Sequence, residues 1–155
     1  MKAIAIGLMM WMQANCSAPG VHPEHNFCDL NWNHPVPEIV FLPHKELVQG
    51  FLAENGTLGG RSNSNLKAFY NLRTKIIYLE DGRDYNRPMS HSLLAHELVH
   101  YVQNMNGLHD RYCIAEIEIS TYLMQLHVYQ KRFRLKASAA TLINHYKKDR
   151  CNTLY

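Results

Sequence analysis

The stretch Ser90–Gln103, SHSLLAHELVHYVQ, decides how the rest of the chain is arranged. Its apolar residues lie nearly all round a helical projection, which predicts a helix that starts at Ser90 as N-cap and is buried on most of its surface. The motif H-E-x-x-H occupies positions 96–100 of this helix. Because residues four apart lie one above the other on a helix, His96 and His100 can bind the same metal ion.

Glu97, the second residue of the motif, lies next to His96 and projects towards the same rim. A carboxylate in that place can hold and deprotonate a metal-bound water. Two imidazoles and a carboxylate on an otherwise apolar helix would be expensive to bury without a metal ion. The alternative is a pair of core histidines whose polar atoms are satisfied by neighbouring groups.

A catalytic zinc site needs a third protein ligand and an open fourth position. The pattern H-E-x-x-H-x-x-G-x-x-H is excluded, because Gln103 and Asn106 stand at the glycine and third histidine positions. The following segment offers Glu116 and Glu118, which are about 200° apart around a helix axis. Only one of them can face the metal, and the spacing does not decide which of the two is the third ligand.

The motif and the later pattern Glu118-x-x-x-Tyr122-x-x-Gln125 resemble the gluzincin metallopeptidases, especially the very small exported proteins of that kind. The resemblance covers about Leu66–Leu126 and includes a hairpin before the motif. In gluzincins the third ligand opens a Glu-x-x-x-Asp pattern, and Glu118 fits that frame better than Glu116 does. Tyr122 stands where aspartate is usual, which leaves open the group that fixes the imidazole of a zinc-bound histidine.

The resemblance implies one zinc ion (Zn²⁺) per chain. Its ligands would be His96, His100 and Glu118, and Glu97 would be the general base. It further implies a zinc metallopeptidase that hydrolyses peptide bonds in a peptide or protein substrate with a metal-activated water. The alternative is a non-catalytic, exported zinc-binding protein, in which the same site serves structure or binding.

The hydrophobic pattern of the remaining chain predicts a small α+β domain without internal repeats. The resemblance makes it a minimal zincin-like domain, with a small sheet or hairpin packed on the active-site helix and further helices after it. The elements predicted around the motif helix are a strand at Glu38–Leu42, a helix at His44–Glu54, a hairpin with strands Leu66–Tyr70 and Lys75–Leu79, and helices at about Ile114–Arg134 and Ser138–Lys148.

Composition limits the classes of protein that are possible. The 155 residues suit one domain, and 46% hydrophobic with 19% charged residues excludes a disordered chain. The formal net charge is +3 and the basic residues are scattered, so we expect no nucleic-acid partner.

Residues 1–18 have the build of a secretory signal peptide, with a basic start, the apolar run Ala3–Met12 and a small-x-small site ending at Ala18. The run is too short to span a bilayer. We therefore expect export to the periplasm or medium, and one domain over residues 19–155. A buried first helix is the alternative, and lipid anchoring at Cys16 is less favoured because the residues before it are a poor lipidation context.

Cleavage after Ala18 would leave three cysteines, Cys28, Cys113 and Cys151. An exported protein can hold a disulfide, so one pair among these three is expected, although the sequence does not choose it.

The hairpin before the motif suggests where substrate lies. In zincins an extended peptide commonly lies antiparallel to an exposed edge strand beside the active-site helix. The strand Lys75–Leu79 is the strongest β segment before that helix, so we expect it to be an edge strand with Ile77 or Tyr78 near the bound peptide.

Four further side chains have open roles. Tyr122 could hydrogen-bond a ligand histidine or belong to the core. His109 and Tyr112 could donate to a developing oxyanion, although exposed loop residues are the simpler expectation. We expect His91 to lie at the surface in the first turn of its helix.

Overall fold

The computed structural model describes residues 1–17, 27–56 and 65–136, and these residues form an α+β fold. The α+β class predicted from sequence is confirmed, whereas the predicted helix 138–148 lies outside the described residues. The elements are α1 (Lys2–Ala14), β1 (Ile39–Leu42), α2 (His44–Asn55), β2 (Ala68–Tyr70), β3 (Ile77–Glu80), α3 (Pro88–Met105) and α4 (Ile114–His127), with 3₁₀ turns at Phe27–Asp29 and Leu108–Asp110 and a π-helical turn at Val128–Arg132.

The three strands form one sheet in the order β1-β3-β2. β1 pairs parallel with β3, placing Ile39 opposite Ile77, and β2 pairs antiparallel with β3, placing Ala68 opposite Leu79. Because a parallel pair needs a crossover connection, α2 lies in the segment that joins β1 to the hairpin. α2 packs on one face of the sheet, while α1, α3 and α4 contribute to the larger apolar cluster on the other face.

β3 is the central strand of the sheet, because β1 and β2 pair with it on either side. Its Ile77 and Leu79 belong to the cluster shared with α3, whereas Tyr78 faces α2 and stacks on Phe69 with 4.9 Å between ring centres. The prediction that Lys75–Leu79 is an edge strand is therefore wrong. A hairpin pattern predicts only one neighbour of a strand. The second neighbour of β3 is β1, which precedes α2 in the chain.

α3 is the helix on which the other elements pack. From Ser90 to Gln103 every residue except Leu93 is buried, which confirms the buried helix predicted from the apolar pattern. The helix begins at Pro88, so the prediction of Ser90 as N-cap is wrong. Proline is favoured at the first helical position because its φ is already helical and its missing N–H has no helical partner there.

α1 packs in the apolar cluster beside α3. Its Ala5, Leu8 and Met12 are completely buried. The centre of the Trp11 ring lies 5.8 Å from that of His127, the last residue of α4. This packing is the one expected for a buried first helix. Removal of residues 1–18 would expose the apolar surface that these side chains cover.

Cys16, which follows α1, forms a disulfide with Cys28. Cys28 therefore bonds with a cysteine outside the three that cleavage after Ala18 would leave, and Cys113 is disulfide-bonded as well. Disulfides persist in oxidising compartments, so both bonds are compatible with export. Among the described residues, no helix has the length and apolar character that crossing a membrane requires.

The packing of α1 predicts a difference between two residues of that helix in the full-length chain. Leu8 is 0% exposed and Met10 is 65% exposed. We expect Leu8→Ala to lower the free energy of unfolding by about 2–4 kcal/mol, since a buried leucine leaves a cavity, and Met10→Ala to change it by less than about 0.5 kcal/mol. Denaturant unfolding measures both. Equal, small effects would mean that α1 does not pack on the domain, as expected of a signal peptide that is not part of the folded protein.

Candidate metal centre

The site lies between α3 and α4, where three potential ligands from the two helices meet. His96 and His100 stand one turn apart on α3, and Glu118 stands on α4. All three residues are buried, with 6%, 8% and 8% of their surface exposed. Within residues 1–17, 27–56 and 65–136 they form the group of histidine and carboxylate side chains able to hold a metal ion. The sequence-predicted ligand set is thus brought together.

The distances within this group suit a tetrahedral ion. The Nε2 atoms of His96 and His100 are 3.1 Å apart, and Glu118 places Oε2 3.6 Å from His96 Nε2 and Oε1 3.4 Å from His100 Nε2. Tetrahedral zinc with bonds of about 2.0–2.1 Å holds its ligands about 3.3–3.4 Å apart. The two imidazole nitrogens and the nearer carboxylate oxygen of each pair are separated by distances around that value, and with one ligand atom per residue all three lie within 4.8 Å of one another. The donor set therefore fits one zinc ion.

Burial makes the arrangement costly without an ion. A carboxylate and two imidazoles are removed from water here, and the lone pairs of two neutral imidazoles would repel each other at 3.1 Å unless a proton or a metal ion lay between them. A divalent cation satisfies both nitrogens and the carboxylate together. The chemistry of the donor set, two imidazoles and one carboxylate, is that of known catalytic zinc sites.

The start of α4 explains why Glu118, rather than Glu116, joins the ligands. Cys113 is the N-cap residue of α4, and its backbone N–H donates to Glu116 Oε2 at 3.2 Å. The Glu116 carboxylate therefore closes a capping box at the helix end and faces away from the ligand group. Glu118, about 200° further round the axis, faces α3.

Glu97 follows the candidate ligand His96 in α3 and is buried, with 5% of its surface exposed. Its negative charge affects the pKa of Tyr85. Burial mainly raises the pKa of the Tyr85 hydroxyl to about 12, and the charges of Glu80 and Glu97 add to this shift. Glu97 is not among the grouped ligand atoms. The general-base role of Glu97 stays a prediction.

Two residues of α4 contact His96. The Tyr122 ring packs on the His96 ring with 4.6 Å between their centres, and Gln125 Oε1 lies 3.0 Å from His96 Nδ1. The sequence pattern contained Gln125 but assigned it no role. The signal that could have found it is its position seven residues after Glu118, which places it on the same face of α4.

His109 lies nearer to the centre than an exposed loop residue would. Its ring centre is 5.9 Å from that of His100, and burial is the main cause that lowers its pKa to about 4, with the neighbouring His100 lowering it further. His109 and Tyr112 are both half-buried rather than fully exposed. The oxyanion-donor role of either residue stays a prediction.

His91 is buried, which corrects the prediction of a surface position. Its Nδ1 lies 3.1 Å from the carbonyl oxygen of Tyr85, and its ring packs edge-on against Phe133 at 5.2 Å. Burial lowers its pKa. His91 therefore ties the first turn of α3 to the preceding loop and takes no part in the ligand group.

The fold and the site together define a small α+β protein with a candidate metal centre of two histidines and one glutamate. The family described as a domain of unknown function, DUF6647, matches residues 26–145, and the chain belongs to that family. The matched segment contains the H-E-x-x-H motif, Glu118 and Gln125, whereas α1 precedes it. No curated protein and no solved structure matches the chain.

The positions of the two glutamates in α4 predict opposite effects on metal binding. We expect Glu118→Ala to lose most bound zinc, because it removes a ligand. Glu116→Ala should keep the zinc and lose about 1 kcal/mol of stability, because it removes only a helix cap. Metal content after dialysis and thermal unfolding measure the two effects. Loss of zinc in Glu116→Ala alone would move the third ligand to Glu116.

The buried histidines predict a pH dependence of stability. Burial is the largest of the causes that lower the pKa of His91, His109 and His127 in the folded state. Below about pH 6.5 the unfolded chain therefore binds more protons than the folded chain, and the free energy of unfolding should fall as the pH drops. Denaturant unfolding of the chelator-treated protein between pH 7 and 4 tests this. The fall should be shallower in His109→Gln, and an equal slope would show that His109 titrates normally.

Proposed function

We propose that this protein is a zinc-dependent metallopeptidase. The observation that carries the proposal is the convergence of His96 Nε2, His100 Nε2 and the Glu118 carboxylate within 3.1–3.6 Å of one another, beside the buried Glu97. Three protein ligands and one free position are the composition of catalytic zinc sites. The resemblance of the motif to gluzincins supports the same reaction class.

The reaction assigns a separate task to each group. Zinc, when bound, polarises the carbonyl of the scissile peptide bond and makes a water more acidic. Glu97 accepts a proton from that water as the water oxygen bonds to the carbonyl carbon. Glu97 then gives the proton to the amide nitrogen, so that the C–N bond breaks and the products are an acid and an amine. His96, His100 and Glu118 hold the ion and take no proton.

The sheet suggests how an extended substrate would be held. Within the described ranges 1–17, 27–56 and 65–136, β2 pairs only with β3, and it is the strand with the most extensive contact with α3. Asn104 of α3 donates to the Tyr70 hydroxyl at 2.8 Å and to the Leu72 carbonyl at 3.0 Å, which fixes the end of β2 against the helix. A peptide adding to the sheet would therefore pair with β2 rather than with β3.

Export remains part of the proposal. The bonded state of Cys113 supports an oxidising compartment. The Cys16–Cys28 disulfide supports it for a chain that keeps α1, because cleavage after Ala18 would remove Cys16. A peptide or protein substrate outside the cytoplasm fits that location.

The decisive variant is Glu97→Gln, which keeps the size of the side chain and removes its basicity. We expect the parent and the variant each to bind one zinc ion, and the variant to lose about 10²–10⁴-fold in hydrolysis of unfolded casein. Glu116→Gln is the matched control, since it changes a glutamate outside the ligand group and should keep activity. Zinc binding without hydrolysis in the parent would instead favour the non-catalytic zinc protein.

A further inference from the structure

His96 can serve as a ligand through Nε2 only if the proton of its neutral imidazole is on Nδ1. Its Nε2 faces His100 and Glu118, at 3.1 and 3.6 Å. Its Nδ1 lies on the opposite side of the ring, 3.0 Å from Gln125 Oε1. The group that meets Nδ1 therefore decides whether the nitrogen facing the centre carries a lone pair.

The orientation of the Gln125 amide follows from its second contact. The Ser92 hydroxyl donates to the Met89 carbonyl at 2.8 Å, so the Ser92 oxygen is left to accept. Gln125 Nε2 lies 3.5 Å from that oxygen, which directs the NH₂ group towards Ser92 and the carbonyl oxygen towards His96. A carbonyl oxygen only accepts hydrogen bonds, and so His96 Nδ1 must donate.

We propose that Gln125 is a positioning residue that holds His96 in the Nδ1–H form, with the Nε2 lone pair directed at the metal centre. The inference concerns the metal site on which the proposed function rests. Hydrogen-bonding partners of this kind orient metal-bound histidines and raise their basicity. Tyr122 stands where the larger gluzincins usually have an aspartate. The proposal makes Gln125 the group that orients the imidazole of His96 in this protein.

The partner of His96 is neutral, and this has a consequence for metal affinity. A carboxylate attracts the Nδ1 proton more strongly than an amide oxygen does, so it makes Nε2 a better donor. Gln125 therefore gives His96 a fixed orientation with moderate donor strength. A carboxylate at the same position should tighten metal binding, whereas an apolar side chain of the same length should weaken it.

Tyr122 is the competing candidate, because it contacts the same imidazole. Its ring is tilted by 58° to the His96 ring at 4.6 Å, and a phenylalanine would keep this contact between rings. The variants Gln125→Met and Tyr122→Phe therefore separate the two residues. Gln125→Met removes both polar atoms at nearly constant length, and Gln125→Glu supplies the stronger acceptor.

The test has two readouts. The first is the tautomer of His96 in ¹⁵N-histidine-labelled, chelator-treated protein at a mildly alkaline pH, measured by long-range ¹H–¹⁵N NMR. The second is the zinc dissociation constant from competition with a chromophoric chelator. We expect the Nδ1–H form in the parent and in Tyr122→Phe, and loss of that preference in Gln125→Met. The dissociation constant should rise about 10–100-fold in Gln125→Met and fall in Gln125→Glu.

Two outcomes would overturn the inference. One is a parent tautomer with the proton on Nε2, and the other is an unchanged tautomer in Gln125→Met. A changed tautomer in Tyr122→Phe would then assign the role to Tyr122. Circular dichroism of each variant, with Gln125→Glu as a second probe, separates these outcomes from misfolding. The tautomer is measured without metal and therefore tests the role of Gln125 even if the protein binds no zinc. A parent that binds no zinc would refute the proposed function alone.

Discussion

The burial of two imidazoles and a carboxylate between α3 and α4 is the constraint on which the rest of the structure depends. The three side chains come from two helices that must pack closely enough to bring Nε2 and carboxylate atoms within 3.1–3.6 Å. Around this polar contact the two helices share apolar residues and the hydrogen bonds of Gln103 with Ser120 and Thr121, at 2.7 and 3.0 Å. These hydrogen bonds between the two helices are formed independently of any ion.

The layers outside the two helices hold α3 in place. The sheet covers one side of α3 through Ile77 and Leu79, and α1 covers another through Leu8 and Met12. These are non-directional apolar contacts, which stabilise α3 without fixing the rotation of any side chain. Directional interactions add to these contacts: Gln125 meets His96 at the centre, and Asn104 binds the end of β2.

Local patterns in the sequence were sufficient for the parts of this structure that depend on neighbours along the chain. The helix period predicted the burial of α3, and the four-residue spacing placed His96 beside His100. Ser90 was wrongly assigned as N-cap because Pro88 starts the helix earlier, which is also a local rule. The edge position expected for Lys75–Leu79 failed for another reason, since the order of strands depends on pairing with β1, which lies before α2 in the chain. The seven-residue spacing places Gln125 on the face of α4 that carries Glu118, but its partner His96 is on another helix, so the spacing alone does not name the contact.

All three candidate ligands lie within residues 96–118, on two helices that are consecutive in the chain. The loop that must close to bring them together is short, and the entropy lost on closing a loop grows with its length. The sheet, by contrast, must pair Ile39 with Ile77 across α2 and the hairpin. We therefore expect the α3–α4 pair to assemble early in folding and the parallel strand to add later. An ion bound by the pair would favour the native state from that early step, because metal binding contributes its free energy to folding as soon as the ligands meet.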